Sequence, residues 1–151
     1  MKQVSFIFCC LLMLCVITSL EAKQQRKLLG LKHISPQLDF GFERYSKEWS
    51  LYYQPILVKA GKEMKVIGFD LDNGSEGDIK VSPNKRYLET SYIIKGYIEE
   101  AGKKILHENY MCVIIDLRKS KVVEQFQSGC DGDWNERNQW VSEMRILFIG
   151  K

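Results

Sequence analysis

The stretch from Arg86 to Glu100, RYLETSYIIKGYIEE, does most to limit what this chain can become. Successive side chains of a strand point to opposite faces, so residues two apart share one. Leu88, Thr90, Tyr92, Ile94 and Ile98 fall on a common face here, which we expect to turn inward. Aromatic and β-branched residues suit such a pleated surface. Gly96 permits a bend or bulge within it.

The same grammar runs from Trp49 to the end. WSLYYQPILVK reads as a strand, with Pro55 suggesting a sheet edge or a bulge. MKVIGFDL places Ile67, Phe69 and Leu71 on one face. Asn73-Gly74 is the strongest short hairpin signal, and DIKVS follows it as a short strand. SPNK and EAGKK turn the chain again. YMCVIIDLRKSKVVEQFQS reads as a hairpin that turns at Arg118 to Lys121, with Met111, Val113, Ile115 and Leu117 on one face and Cys112 on the other. EMRILFIG is apolar enough for a strand buried on both faces. Turn signals recur about every ten residues, and no long helical pattern competes. The expected fold is all-β, an antiparallel sandwich or small barrel of about eight strands, forming one domain over 47–151.

The N-terminal part reads differently. MKQVSFIFCCLLMLCVITSLEA has a short positive start, an apolar run and a small residue at Ala22. That is the order of a signal peptide over 1–22, which predicts a secreted or periplasmic protein. The run is shorter than the ~20 residues of a membrane span, and no later run is long enough for one. Residues 23–46 carry Lys23, Arg26, Lys27 and Lys32 without clear periodicity. They are expected to form an irregular or short-helical basic arm.

Two phrases, VSPNKRYL and VIIDLRKSKVV, are similar to parts of β-propeller blades. A propeller needs at least four blades of about forty residues, and these phrases do not recur, so they are read as ordinary hairpin grammar.

Charge and cysteines narrow the function classes. Lys and Arg number 22 against 19 Asp and Glu, a net charge of +3. Nucleic-acid binders carry denser basic patches, so no nucleic-acid partner is expected. Of five cysteines, three lie in the leader, leaving Cys112 and Cys130. An even pair in an oxidising compartment predicts a Cys112–Cys130 disulfide, worth about 3 kcal/mol in the chain-entropy model. Neither has a C-x-x-C partner, so no metal is expected, and nothing calls for a cofactor.

Catalytic sets are thin. The only histidines are His33 and His107. Ser82 or Ser91 with His107 and Asp116 could supply a nucleophilic set, but no G-x-S-x-G elbow supports one. Asp70, Asp72, Glu89, Glu99, Glu100 and Glu108 are available for paired-carboxylate hydrolysis, and nothing selects two of them. The adjacent Glu99 and Glu100 point to opposite faces of a strand.

SGCDGDWNERNQW, residues 128–140, is the most unusual passage. Asp131, Asp133, Asn135 and Asn138 partly follow the ligand spacing of an EF-hand calcium loop, but Glu136 and Ser142 stand where that loop needs Gly and Glu. Trp and Arg dominate binding hot spots, so Asp131, Asp133, Trp134, Asn135, Arg137, Asn138 and Trp140 are the candidate binding residues. The alternative is a corner in which the tryptophans cap the core and Asp and Asn close turns. The expected function is a small secreted or periplasmic binding protein without enzymatic activity, its expected partner another protein, as for an inhibitor or immunity-type protein. In size and expected architecture the chain is similar to small periplasmic lysozyme inhibitors. The alternatives are a carboxylate-based hydrolase and a calcium-dependent or carbohydrate-binding module.

Overall fold

A computed structural model describes residues 27–128 and 130–151. The expected leader lies outside the described residues. The chain is all-β and antiparallel, with a nine-stranded sheet and a separate three-stranded one. Among the described residues there are twelve strands, more than the eight read from the sequence, because several are only two to four residues long.

The first two strands correct the expected irregular arm. β1 (Leu29–Ser35) and β2 (Leu38–Ser46) pair with each other, and β2 pairs along the length of β3 (Leu51–Lys59). Phe40 and Phe42 point into the core while Lys32 and His33 stay outside. The polar outer face hid the strand pattern.

β4 (Lys62–Lys65) folds back on β3 through Ala60-Gly61, both with positive φ. Gln54 also has positive φ, and just there the free edge of β3 changes partner, from β5 (Gly74–Ser75) to β4. Pro55 therefore marks an irregularity, as its type suggested.

β6 (Ile79–Val81) and β5 both pair with β7 (Tyr87–Glu100). β7 pairs with β8 (Lys103–Asp116) over its whole length, and β8 with β9 (Lys121–Phe126). Beyond β4, Ile67 donates its N–H to Ser120 and accepts from Val122, both at 2.8 Å. Backbone pairing thus runs in a ring from β3 through β5, β7, β8, β9 and Ile67 back to β4 and β3. A ring removes most of the exposed edge that an open sheet leaves. Its interior holds Leu57, Leu88, Tyr92, Val113 and Ile115, completed by the two phenylalanines of β2.

The Asn73-Gly74 hairpin does not form. Gly74 lies within β5, where an added Cβ would meet Leu51 side-chain atoms at 2.7 and 2.8 Å. Glycine is needed for close approach, not for a turn. MKVIGFDL also departs from its alternation: Val66 and Phe69 are buried, whereas Ile67 and Leu71 are exposed.

The outer face of the ring has its own cover. β10 (Asp133–Trp134), β11 (Gln139–Ser142) and β12 (Arg145–Ile149) form the small sheet. Trp140 packs with Tyr87 and Ile114 of β7 and β8, flanked by Phe126, Trp134, Leu147 and Phe148. β12 is half-buried to exposed, so the expectation of a strand buried on both faces is corrected. The strands buried on both faces are the barrel halves of β7 and β8.

Candidate functional site

The corner at 131–140 is built from internal contacts. Cys130 is bonded to Cys112, as expected. Trp140 is fully buried at 0 % exposure and belongs to the core, which corrects its place among the binding residues. Its ring meets Trp134 edge-on at 5.3 Å. Trp134 is half-buried and stacks against Tyr87, and its indole N–H donates to the Lys80 carbonyl at 2.9 Å. Lys80 in turn donates to the Gly132 carbonyl and lies over the Trp140 ring.

The polar residues close turns. Asn135 Oδ1 accepts from the N–H groups of Arg137 and Gln139, both at 3.0 Å. Asn138, at φ 58°, accepts the Asn84 N–H. Asp133 accepts the Trp134 N–H, and Asp131 accepts the Ser142 hydroxyl. The four side chains of the candidate calcium loop therefore serve four separate parts of the fold. Satisfying turn backbones is the ordinary work of Asp and Asn. Arg137, like Asp131 and Asp133, stays exposed on this corner.

The sequence-derived catalytic set does not assemble. Ser82 accepts the Tyr87 N–H and donates to Asn84, while Ser91 serves Ser75 and Glu76. Asp116 holds the β8–β9 turn through the N–H groups of Arg118 and Lys119 and pairs with Arg86 at 3.2 Å. His107 lies nine residues earlier on the same extended strand, roughly 30 Å away.

Glu89 is the buried acid, 4 % exposed, on the outer face of β7. Burial pushes its carboxyl pKa up to about 8; nearby Lys80 opposes this and Asp78 adds to it. A carboxylate oxygen of Glu89 and the two disulfide sulfurs lie within 4.8 Å of one another. The sulfurs are bonded together, so neither is a thiolate ligand.

The most unusual surface lies elsewhere. β7 and β8 are 14 residues each, far longer than the 5–6 typical of a strand. Only the halves near Tyr87–Ile93 and Met111–Asp116 are covered by the body. Beyond them the two strands continue as a ribbon, closed by Ala101-Gly102 with φ of 50° and 72°. Positive φ at both positions suits a two-residue turn between twisted strands.

On this ribbon the alternation persists but the cover ends. Tyr97 is 58 % exposed, Ile98 47 % and Leu106 44 %, with Ile94, Ile105 and Tyr110 also exposed. Tyr97 faces Leu106 across one side of the ribbon, and Ile98 faces Ile105 across the other. Ile94 and Ile98, expected to point inward, lie on this uncovered part. Trp49, in the turn between β2 and β3, touches the ribbon through Tyr97 at 5.4 Å.

Charges on the ribbon cancel. Glu99 stands opposite Lys104, Glu100 opposite Lys103, and Lys95 forms an ion pair with Glu108. The hydrogen bond to Glu108 raises the Lys95 pKa above its usual value. Sequence periodicity shows which residues share a face, not whether that face is covered. The available signal was length, because a hairpin this long must outrun a small body.

No family model, curated protein or solved structure matches this chain. Among the described residues, no helix is long and apolar enough to cross a membrane.

Proposed function

We propose that this is a secreted, non-enzymatic protein that recognises another protein through the β7–β8 ribbon. The observation that carries the reading is the row of exposed apolar side chains on both faces of that ribbon. Contiguous apolar surface of this kind marks interaction sites. Lys95, Lys103 and Lys104 are balanced by Glu99, Glu100 and Glu108, so the ribbon offers no attraction to nucleic acid or anionic lipid. An apolar, neutral, aromatic-bearing arm suits a protein cleft or sheet edge. An inhibitor or immunity-type role fits, with the arm as the inserted element.

The signal-peptide pattern of 1–22 and the disulfide support export, since such bonds persist in oxidising compartments. Glu89 faces a disulfide and His107 stands far from Asp116, which supports recognition over bond breaking.

The test is photo-crosslinking in the protein's native medium, with a benzophenone amino acid at Tyr97 or at Arg137. One adduct of defined mass from position 97, and none from 137, is the expected result. Adducts only from 137 would move the site to the corner and refute the ribbon reading.

A further inference from the structure

The ribbon has two edges, and they differ. On the β7 side, Trp49 packs against Tyr97 and lies near the Lys95 ammonium. On the β8 side, pairing with β9 begins at Cys112, and Met111 is already in the core and hydrogen-bonded by Gln125 of β9. Among the described residues, Lys103–Tyr110 pairs with no strand other than β7. That leaves roughly 25 Å of strand edge with unpaired N–H and C=O groups. An edge this long, with apolar side chains beside it, is a template for another strand. A two-stranded ribbon also gains most from added strands, being marginal alone.

The sequence of the edge specifies which strand. In KKILHENY, Lys103–Tyr110, Lys104 and Glu108 stand two residues either side of Leu106 with opposite charge, while Lys103 mirrors the neutral Asn109 and Ile105 mirrors His107. Laid antiparallel against itself with Leu106 opposite Leu106, it places Lys104 opposite Glu108 of the second copy. The same contact recurs on the other side of the two-fold axis. Residues paired this way lie on one face, so the two Leu106 side chains meet between the two Tyr97 rings. Opposite charges directly across a strand pair stabilise it, and like charges oppose it. Glu108 would then sit between Lys95 of its own chain and Lys104 of the other.

From this we infer that the β8 edge pairs with the β8 edge of a second copy, joining two ribbons into a four-stranded sheet with two-fold symmetry. A two-fold interface uses the same patch on both subunits, as this register requires. The inference rests on the ribbon reading and deepens it: the edge takes a second copy, and the widened apolar faces remain for a foreign protein.

Sedimentation of the purified protein across a concentration series tests it, with K104E and E108K measured alone and mixed. Each substitution sets like charges opposite each other in a self-pair, whereas the equimolar mixture restores opposite charges at both contacts. The wild type is expected to dimerise. Each variant alone should bind itself at least about tenfold more weakly, equal to about 1.4 kcal/mol, and the mixture should recover the dimer. Leu106→Asp, at the two-fold centre, provides a second disruption if E108K disturbs the ribbon through Lys95 or K104E through Glu99. Thermal unfolding of each variant checks that the body is folded.

A wild type that stays monomeric into the millimolar range, or variants that dimerise as tightly as wild type, would overturn the self-pairing. A mixture of folded variants that remains monomeric would overturn the register. The two readings fail separately. A monomer that still crosslinks a foreign protein from Tyr97 keeps the recognition surface and loses the dimer. A dimer whose foreign adducts arise only from 137 does the reverse.

Discussion

Replacing Glu89 by Gln should abolish a pH dependence that the wild type shows. The Glu89 carboxyl lies under the Cys112–Cys130 bridge with 4 % exposure, and its pKa rises from 4.5 to about 8. Desolvation is the leading cause, because a buried carboxylate loses its hydration. The folded state therefore keeps a proton that the unfolded chain gives up. Stability from this group is fully present below the unfolded value near 4.5 and is lost as pH rises through the folded value near 8. At 1.36 kcal/mol per pH unit the interval sets a ceiling of about 5 kcal/mol. Local relaxation and water entry reduce what a buried charge costs, so we expect a loss of about 2–3 kcal/mol. Gln is neutral and close in shape to protonated Glu. It should match the wild type within about 1 kcal/mol at pH 5 and exceed it at pH 9. Denaturant unfolding followed by tryptophan fluorescence, at intervals from pH 5 to 9 with the disulfide intact, measures both curves. Parallel curves for wild type and E89Q would show that Glu89 titrates normally, and the account of its burial would be wrong.

Other substitutions probe the packing. Trp140→Ala removes a fully buried ring and should cost about 3–5 kcal/mol in denaturant unfolding. Gly74→Ala drives a methyl group into Leu51 and should cost about 1–3 kcal/mol, although its neighbour Asn73 suggests a tolerant turn. Replacing Cys112 and Cys130 together by Ala should lower stability by about 3 kcal/mol, read as a reduced denaturation midpoint. Ile98→Asp with Leu106→Asp, compared with wild type at protein concentrations where both are monomeric, should leave the unfolding free energy within about 0.5 kcal/mol, since both side chains are exposed.

Much of the architecture was readable where one face met the core and the other met water. The β7–β8 and β8–β9 hairpins follow the alternation of Leu88, Thr90 and Tyr92 and of Met111, Val113 and Ile115, and the disulfide follows from cysteine arithmetic. β1 and β2 were hidden because Lys32, His33, Glu43 and Arg44 interrupt the apolar text, although Phe40 and Phe42 already alternate. Ala60-Gly61 repeats the grammar of Ala101-Gly102, with lysine following each glycine, and makes the same kind of turn. Asn73-Gly74 misled because local turn preference gave way to close packing of Gly74 on Leu51.

The site was harder to read. Tryptophan, arginine and turn-forming residues drew attention to 131–140, where the structure uses Trp140 as core and Asn135 and Asn138 as turn closures. The ribbon was legible as a hairpin but not as a surface. Exposure at Tyr97 and Leu106 depends on how far the body reaches, and no local pattern encodes that.

The most direct measurement is hydrogen exchange on the protein, free and then saturated with the protein recovered from the Tyr97 crosslink. Slowed exchange across residues 94–110, with residues 131–140 unchanged, is the result expected here. Slowing confined to 131–140, with the ribbon amides unaffected, would contradict it.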